Sequence, residues 1–342
     1  MIIKQNFIFL FFIFFITLLL SFFILKVFFF DVDRNNFTYV NNNSTVLGLN
    51  VPSNLDFCGE KIPLNSIKIK DGLEKEFFND DYWKSNYKAL YEKAKIWFPY
   101  IEPILKQQGI PDDFKYIAVV ESHLSNIVSS AGAAGFWQLM PLSAQNYGLE
   151  VNEFVDERFN LEKSTIAACK HFKDAYKVFK NWTLSAAAYN LGIGGIQKAI
   201  EKQNSKDYFD LILNSETGSF VYRILAYKTL FSNPQHFGIN TKKISYKDKI
   251  QMKTYEIDST INSTVSLEKI FVCDLSTIRT FNPWFIGDKL PNPNNLKYLF
   301  KIPKQLNKDY TNYQSDLVSR NNHLTKDDTL TKSITQDSLL LK

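Results

Sequence analysis

Apolar residues are distributed along this chain in sharply different ways from one stretch to the next. Residues 7–25, FIFLFFIFFITLLLSFFIL, carry no charge and only Thr17 and Ser21 as polar groups. At about 1.5 Å of rise each, about 19 such residues span most of a bilayer's hydrocarbon core. Lys4 precedes the run, and Asp31 and Asp33 follow it beside Lys26 and Arg34. The positive-inside rule therefore favours an inner amino terminus and an exported body. No small-residue cleavage site of the A-x-A kind follows the run. That favours an uncleaved transmembrane signal-anchor over residues 1–30 rather than a removed signal peptide. Residues 31–75, rich in Asn, Ser and Pro with scattered apolar positions, read as a linker or stalk.

Over residues 76–240 a helical period takes over. Tyr87, Leu90, Tyr91, Ala94, Trp97 and Phe98 recur at spacings of three and four, which predicts an amphipathic helix. Pro99 and Pro103 are expected to punctuate it, with a further short helix ending at Gly109. Pro111 opens the next helix, with Asp112 and Asp113 in a first turn whose dipole suits carboxylates. Phe114, Ile117, Ala118 and Glu121 then share one face of it. Residues 123–135, with Gly132 and Gly135, read as loop, and further helices are expected at about 137–147, 161–179, 183–200 and 217–231. Residues 245–305 mix short β-rich runs with a small helix, and residues 306–342 are polar without apolar period, which reads as a disordered tail. The expected fold class is mainly α, with an N-terminal transmembrane helix and a small C-terminal α+β extension.

Composition adds limits. The net charge is +5, from 40 Lys+Arg against 35 Asp+Glu. So small an excess fits an anionic polymer as partner but does not argue for nucleic acid. Cys58, Cys169 and Cys273 form no CxxC pair, so no metal or redox motif is present. Cys169, in TIAACKHF, reads as a small buried hydrophobe.

The candidate chemistry starts at Glu121. A carboxylate on an apolar helix face is costly to ionise, so its pKa should rise, and an acid still protonated near neutrality can protonate a leaving-group oxygen. The segment after it, ESHLSNIVSSAGAAGFWQLM, has glycines that let backbone approach a ligand and aromatics, Phe136 and Trp137, whose faces suit pyranose rings. Gln138 both donates and accepts hydrogen bonds. A second feature, AAAYNLGIGGIQKAI, sets Tyr189 and Asn190 just before Gly192. Each feature has a plainer reading. Glutamate on a helix is more often a solvated group, tryptophan more often core, and a glycine after a short helix is a C-cap.

Taken in order, ES…S-AGA-GFWQ-M followed by AYN-G resembles the motif set of the soluble lytic transglycosylase (SLT) catalytic domain, glycoside hydrolase family 23. The flanks YIEPILKQQGIPDDFKYIAVVES and YGL…VDERFNLEKSTIAACKHFKDAY resemble the membrane-bound lytic murein transglycosylase D subgroup, and the likeness runs over roughly residues 85–235. The resemblance implies a lysozyme-like helical bundle around a cleft, with Glu121 as general acid and base. It implies substrate-binding roles for Ser122, Ser129, Phe136, Trp137, Gln138, Met140, Tyr189, Asn190 and Glu216. Phe136 replaces the leucine usual before the glutamine, and in ETGSFVYRI Phe220 stands where the subgroup carries tyrosine. The implied reaction cleaves the bond between N-acetylmuramic acid and N-acetylglucosamine in peptidoglycan and closes a 1,6-anhydro ring, with no metal and no cofactor. The implied partners are peptidoglycan glycan strands and, through the N-terminal helix, the membrane. The implied location is the cell envelope, anchored with the catalytic domain outside the cytoplasm. A hydrolytic goose-type lysozyme and an inactive peptidoglycan-binding scaffold are the competing readings. LEKIFVCDLSTIRTFNPWFIGDKLPNP…YLFKIP resembles a degenerate LysM-type glycan-binding module, the alternative being a β-rich extension packed on the catalytic domain.

Overall fold

The structure, a computed structural model, describes residues 52, 54–78, 81–237 and 251–304. The apolar run 7–25, the start of the 31–75 segment and the 306–342 tail lie outside the described residues. Among the described residues no helix is long and apolar enough to cross a membrane.

Two short strands, β1 (Asp56–Phe57) and β2 (Glu60–Lys61), form a hairpin ahead of helices α1 (Ile67–Phe78) and α2 (Asp81–Gln107). The linker reading of 31–75 therefore fails at its C-terminal end. Phe57 and Ile62 of the hairpin region are buried in the main core, as are Ile69, Leu73 and Phe77, whose spacing of four gives α1 one apolar face.

Pro99 and Pro103 do not break α2, which runs unbroken through both. Each proline removes one backbone bond, but Ile101 and Leu105 on that segment are fully buried, and tertiary packing outweighs local propensity. Asp112–Phe114 form a single 3-10 turn leading into α3 (Lys115–Ser122). The helix expected over 137–147 shrinks to α4 (Pro141–Asn146). Residues ahead of Pro141 pair as extended backbone instead, Ala134 bridging both Val128 and Leu139. Then come α5 (Leu161–Phe179), α6 (Trp182–Leu191), α7 (Ile193–Gln203) and α8 (Ser215–Ser232). The single helix expected over 183–200 is two, because Gly192 takes a φ of +82° between α6 and α7.

Capping fits the sequence. Asn160, Asn181 and Asn214 each accept from the backbone N–H three residues on, at the starts of α5, α6 and α8. The α6 start has a second cap from far away. Glu60 in β2 accepts from the N–H groups of Trp182 and Thr183 at 2.6 and 2.9 Å.

The helical core is rich in rings. Phe114 packs against Phe57, Phe172 and Trp182 with centroids 5.4, 4.5 and 5.2 Å away. A second, smaller core belongs to residues 251–304. There β3 (Met252–Ile257) pairs antiparallel with β4 (Tyr298–Pro303), with α9 (Thr264–Phe271) and α10 (Leu275–Phe281) between them in the chain. Leu267, Ile278, Phe285, Leu290 and Phe300 fill this unit, and Val155 of the helical part joins them. The described fold is thus mainly helical with an α+β unit at its C-terminal side.

Candidate active site

Glu121 lies in the last turn of α3. His123 and Leu124 after it both take left-handed backbone, φ 49° and 55°, and turn the chain away sharply. Glu121 keeps part of its surface open, yet enclosure by protein raises its pKa to about 8. The positive charge of Arg223 opposes that rise, and the negative charge of Glu216 adds to it. The carboxyl is therefore predominantly protonated at neutral pH, as a proton donor must be.

A strap, residues 127–139, lies beside α3. Ser129 N–H donates to the Ala133 carbonyl at 2.8 Å, and the Ser129 hydroxyl accepts Ala133 N–H at 3.0 Å. Gly135 has φ +79°, and a Cβ there would sit 2.0 Å from the Arg158 carbonyl oxygen, so only glycine fits. Gln138 takes φ 45° and is held there by its own amide, which donates to Ile127 and Gly135 carbonyls at 3.0 and 2.8 Å. Both of these bonds are made by Nε2 of the amide. Met140 follows, with 46% of its surface exposed.

Tyr189 and Asn190 end α6 on the other side. The Tyr189 hydroxyl donates to the Trp137 carbonyl at 2.6 Å, and the ring packs on His171 and Phe172 at 5.1 and 5.0 Å. Burial and then the charge of Glu121 hold the phenol well above its ordinary pKa. Asn190 donates to Glu216 Oε1 at 2.9 Å and accepts from Thr217 Oγ1 at 2.6 Å. Glu216 and Thr217 open α8, where a carboxylate suits the helix dipole.

Of the residues picked from sequence, the fold gathers Glu121, Tyr189, Asn190 and Glu216 into one neighbourhood, with the Gln138 strap bonded to Tyr189. It turns three others inward. Ser122 is buried and donates to the carbonyls of Ala118 and Phe136 at 3.1 and 2.8 Å. Phe136 and Trp137 are core residues, Trp137 fully buried with its indole N–H on Thr165 at 2.9 Å. They cannot offer faces to a sugar, and they hold the strap down instead. Phe220, where the subgroup has tyrosine, is also buried. Tyr222 points elsewhere, against Gly72 of α1 and Phe209.

Arg223, which the sequence reading did not single out, also acts on Glu121 through its charge. It lies on the same face of α8 as Glu216 and Phe220, its guanidinium 5.8 Å from the Phe220 ring and donating to the Glu216 carbonyl at 3.2 Å. The signal was available in the spacing Glu216, Phe220, Arg223, four and then three residues apart. Among the described residues no cluster of His, Cys, Asp and Glu is placed to hold a metal ion.

Residues 99–212 match the family model described as the transglycosylase SLT domain, in agreement with the resemblance drawn from the motifs. Over 184 residues the chain is 32% identical to the membrane-bound lytic murein transglycosylase D of Escherichia coli K12, covering 52% of this chain and 40% of that protein. The protein of the same name from Escherichia coli O6:H1 matches to the same extent. The chain therefore spans well under half the length of these relatives. The crystal structure of the 70 kDa soluble lytic transglycosylase of Escherichia coli aligns at 21% identity with a TM-score of 0.36, covering 43% of this chain and 26% of that one.

Proposed function

We propose that the chain is a lytic transglycosylase of peptidoglycan in which one carboxyl, Glu121, serves as acid and then as base. The observation that carries this reading is a single glutamic acid, kept protonated to about pH 8 by enclosure, beside Tyr189, Asn190 and Glu216. Its relatives' names point to murein as the polymer.

In this mechanism Glu121 gives its proton to the glycosidic oxygen between N-acetylmuramic acid and N-acetylglucosamine. The bond to the anomeric carbon breaks, and the substrate's own N-acetyl group stabilises the cationic centre. The muramoyl 6-hydroxyl oxygen then attacks that carbon, and its proton returns to ionised Glu121. No water is consumed, and the carboxyl ends as it began. Gln138 Oε1, the Tyr189 oxygen and Asn190 are the groups proposed to hold the glycan, with Ser129 and Met140 flanking. Ser122, Phe136 and Trp137 act from behind, as supports of the strap.

Glu216 is the observation that favours the hydrolytic reading, since its charge reaches Glu121 and a second carboxylate could activate water. Its tether to Asn190 argues for a fixed structural role. A domain layout of anchor, catalytic domain 76–240 and glycan-contacting unit 245–305 completes the proposal, with the active domain outside the cytoplasm. A hollow of about 320 Å³ between the two units, lined by Asn152, Phe154, Asn292, Asn294 and Tyr298, supports sugar contact there, away from Glu121.

Mass spectrometry of the products from purified peptidoglycan tests the reaction. Anhydro-muramoyl ends from the parent, and none from Glu121→Gln, are expected. Reducing muramoyl ends would make the protein a lysozyme, and binding without cleavage would make it a scaffold.

A further inference from the structure

The segment 150–160 is gripped from both sides. On one side stands the C-terminal unit. Asp156 N–H donates to the Trp284 carbonyl at 2.8 Å, and the N–H groups of Ile286 and Gly287 both donate to the Phe154 carbonyl at 3.0 Å. Val155 bridges Phe285 and is buried in that unit's core. Tyr298 donates its hydroxyl to Glu150 at 2.8 Å, and Lys301 pairs with Glu162. The approach is so close that a Cβ on Gly287 would lie 2.7 Å from the Phe154 Cα.

On the other side stands the strap that carries Gln138. Arg158, 7% exposed, donates from Nη1 to the carbonyls of Gly132 and Leu139 at 2.7 and 3.1 Å. Asp156, 5% exposed, holds the same guanidinium through Nε and Nη2 at 2.9 and 2.7 Å. A guanidinium fork is suited to this, because it binds a carboxylate and two carbonyls in one fixed plane. Asp156 thus joins both sides, its backbone bound to the C-terminal unit and its side chain to the strap's clamp.

We propose that the C-terminal unit is part of the active-site apparatus: through Asp156 and the positioning residue Arg158 it fixes the 127–139 strap against α3, so that Gln138 meets substrate at a set distance from Glu121. This role presupposes the transglycosylase reading of the Glu121 site. It differs from that of a glycan-binding arm, which needs only to hold substrate and works as well on a loose tether.

Hydrogen exchange and steady-state turnover of peptidoglycan, measured on the whole chain, test it. Gly287→Ala wedges the unit away from Phe154, far from the reacting atoms. The expected result is faster exchange at Ile286 and Gly287, lost protection at Ala134, Gly135 and Leu139, and unchanged protection in α5 and α8. A fall in kcat of about tenfold is expected with it, since small misplacements are that costly. Arg158→Lys keeps a cation for Asp156 but cannot serve both carbonyls. It should loosen the strap alone, leaving Ile286 and Gly287 protected. Strap amides with parental protection in Arg158→Lys, or an opened unit with parental strap protection and kcat in Gly287→Ala, would overturn the brace. A parent that cleaves no peptidoglycan would sink the proposed reaction, while the exchange pattern would still decide the brace.

Discussion

The Tyr189 hydroxyl donates to the Trp137 carbonyl at 2.6 Å, so a residue expected to face substrate also anchors the loop opposite it. Tyr189→Phe leaves a carbonyl in the interior without that donor. The cost should be about 1–3 kcal/mol of stability, read by chemical denaturation. Turnover should fall further than that loss of folded protein explains, because the Gln138 strap is then less firmly held.

Glu121 carries the pH profile. Acting as an acid with a pKa of about 8, it supports cleavage below that value and loses it as pH rises through it. Two charges tune the position of this alkaline limb in opposite senses. Arg223→Gln removes the cation that favours ionised Glu121 and moves the limb to higher pH. Glu216→Gln removes the neighbouring negative charge and moves it lower, while still offering Asn190 an oxygen. Each displacement should be on the order of one pH unit, measured as kcat/KM against pH.

Stability should follow the same titration. Folding raises the Glu121 pKa from an ordinary 4.5 to about 8, so the folded state is fully supported below pH 4.5 and loses stability between those values. Glu121→Gln removes that dependence. The variant should match the parent near pH 4 and exceed it at pH 8 by on the order of 4 kcal/mol, shown by denaturant midpoints across the range. Equal midpoints at pH 8 would mean that ionised Glu121 is well solvated.

Glu121 stood out because an apolar stripe at helical spacing ended on it, whereas Tyr189 and Asn190 stood out only through the resemblance to the SLT motif set, since a helix end before glycine reads by itself as a C-cap. Phe136 and Trp137 were misread because rings fill cores and stack on sugars with equal chemical aptitude, and only the fold says which way they face. Pro99 and Pro103 signal a break by local propensity alone, and the burial of Ile101 and Leu105 that overrides it is a tertiary effect with no local signature. Arg223 shares an α8 face with Glu216 and Phe220, which its spacing shows, but the charge it acts on, Glu121, lies on another helix, and that relation no local period reveals.

The bond from Glu60 to the start of α6 bears on how this domain can be excised. The family match begins at residue 99, and the helical period becomes plain only after residue 80. A fragment cut at either point would omit Phe57 and Glu60, and with them a filled core position and one cap of the helix that ends in Tyr189 and Asn190. The smallest independently stable piece should therefore start ahead of Leu55, some way upstream of anything the recognisable motifs would suggest.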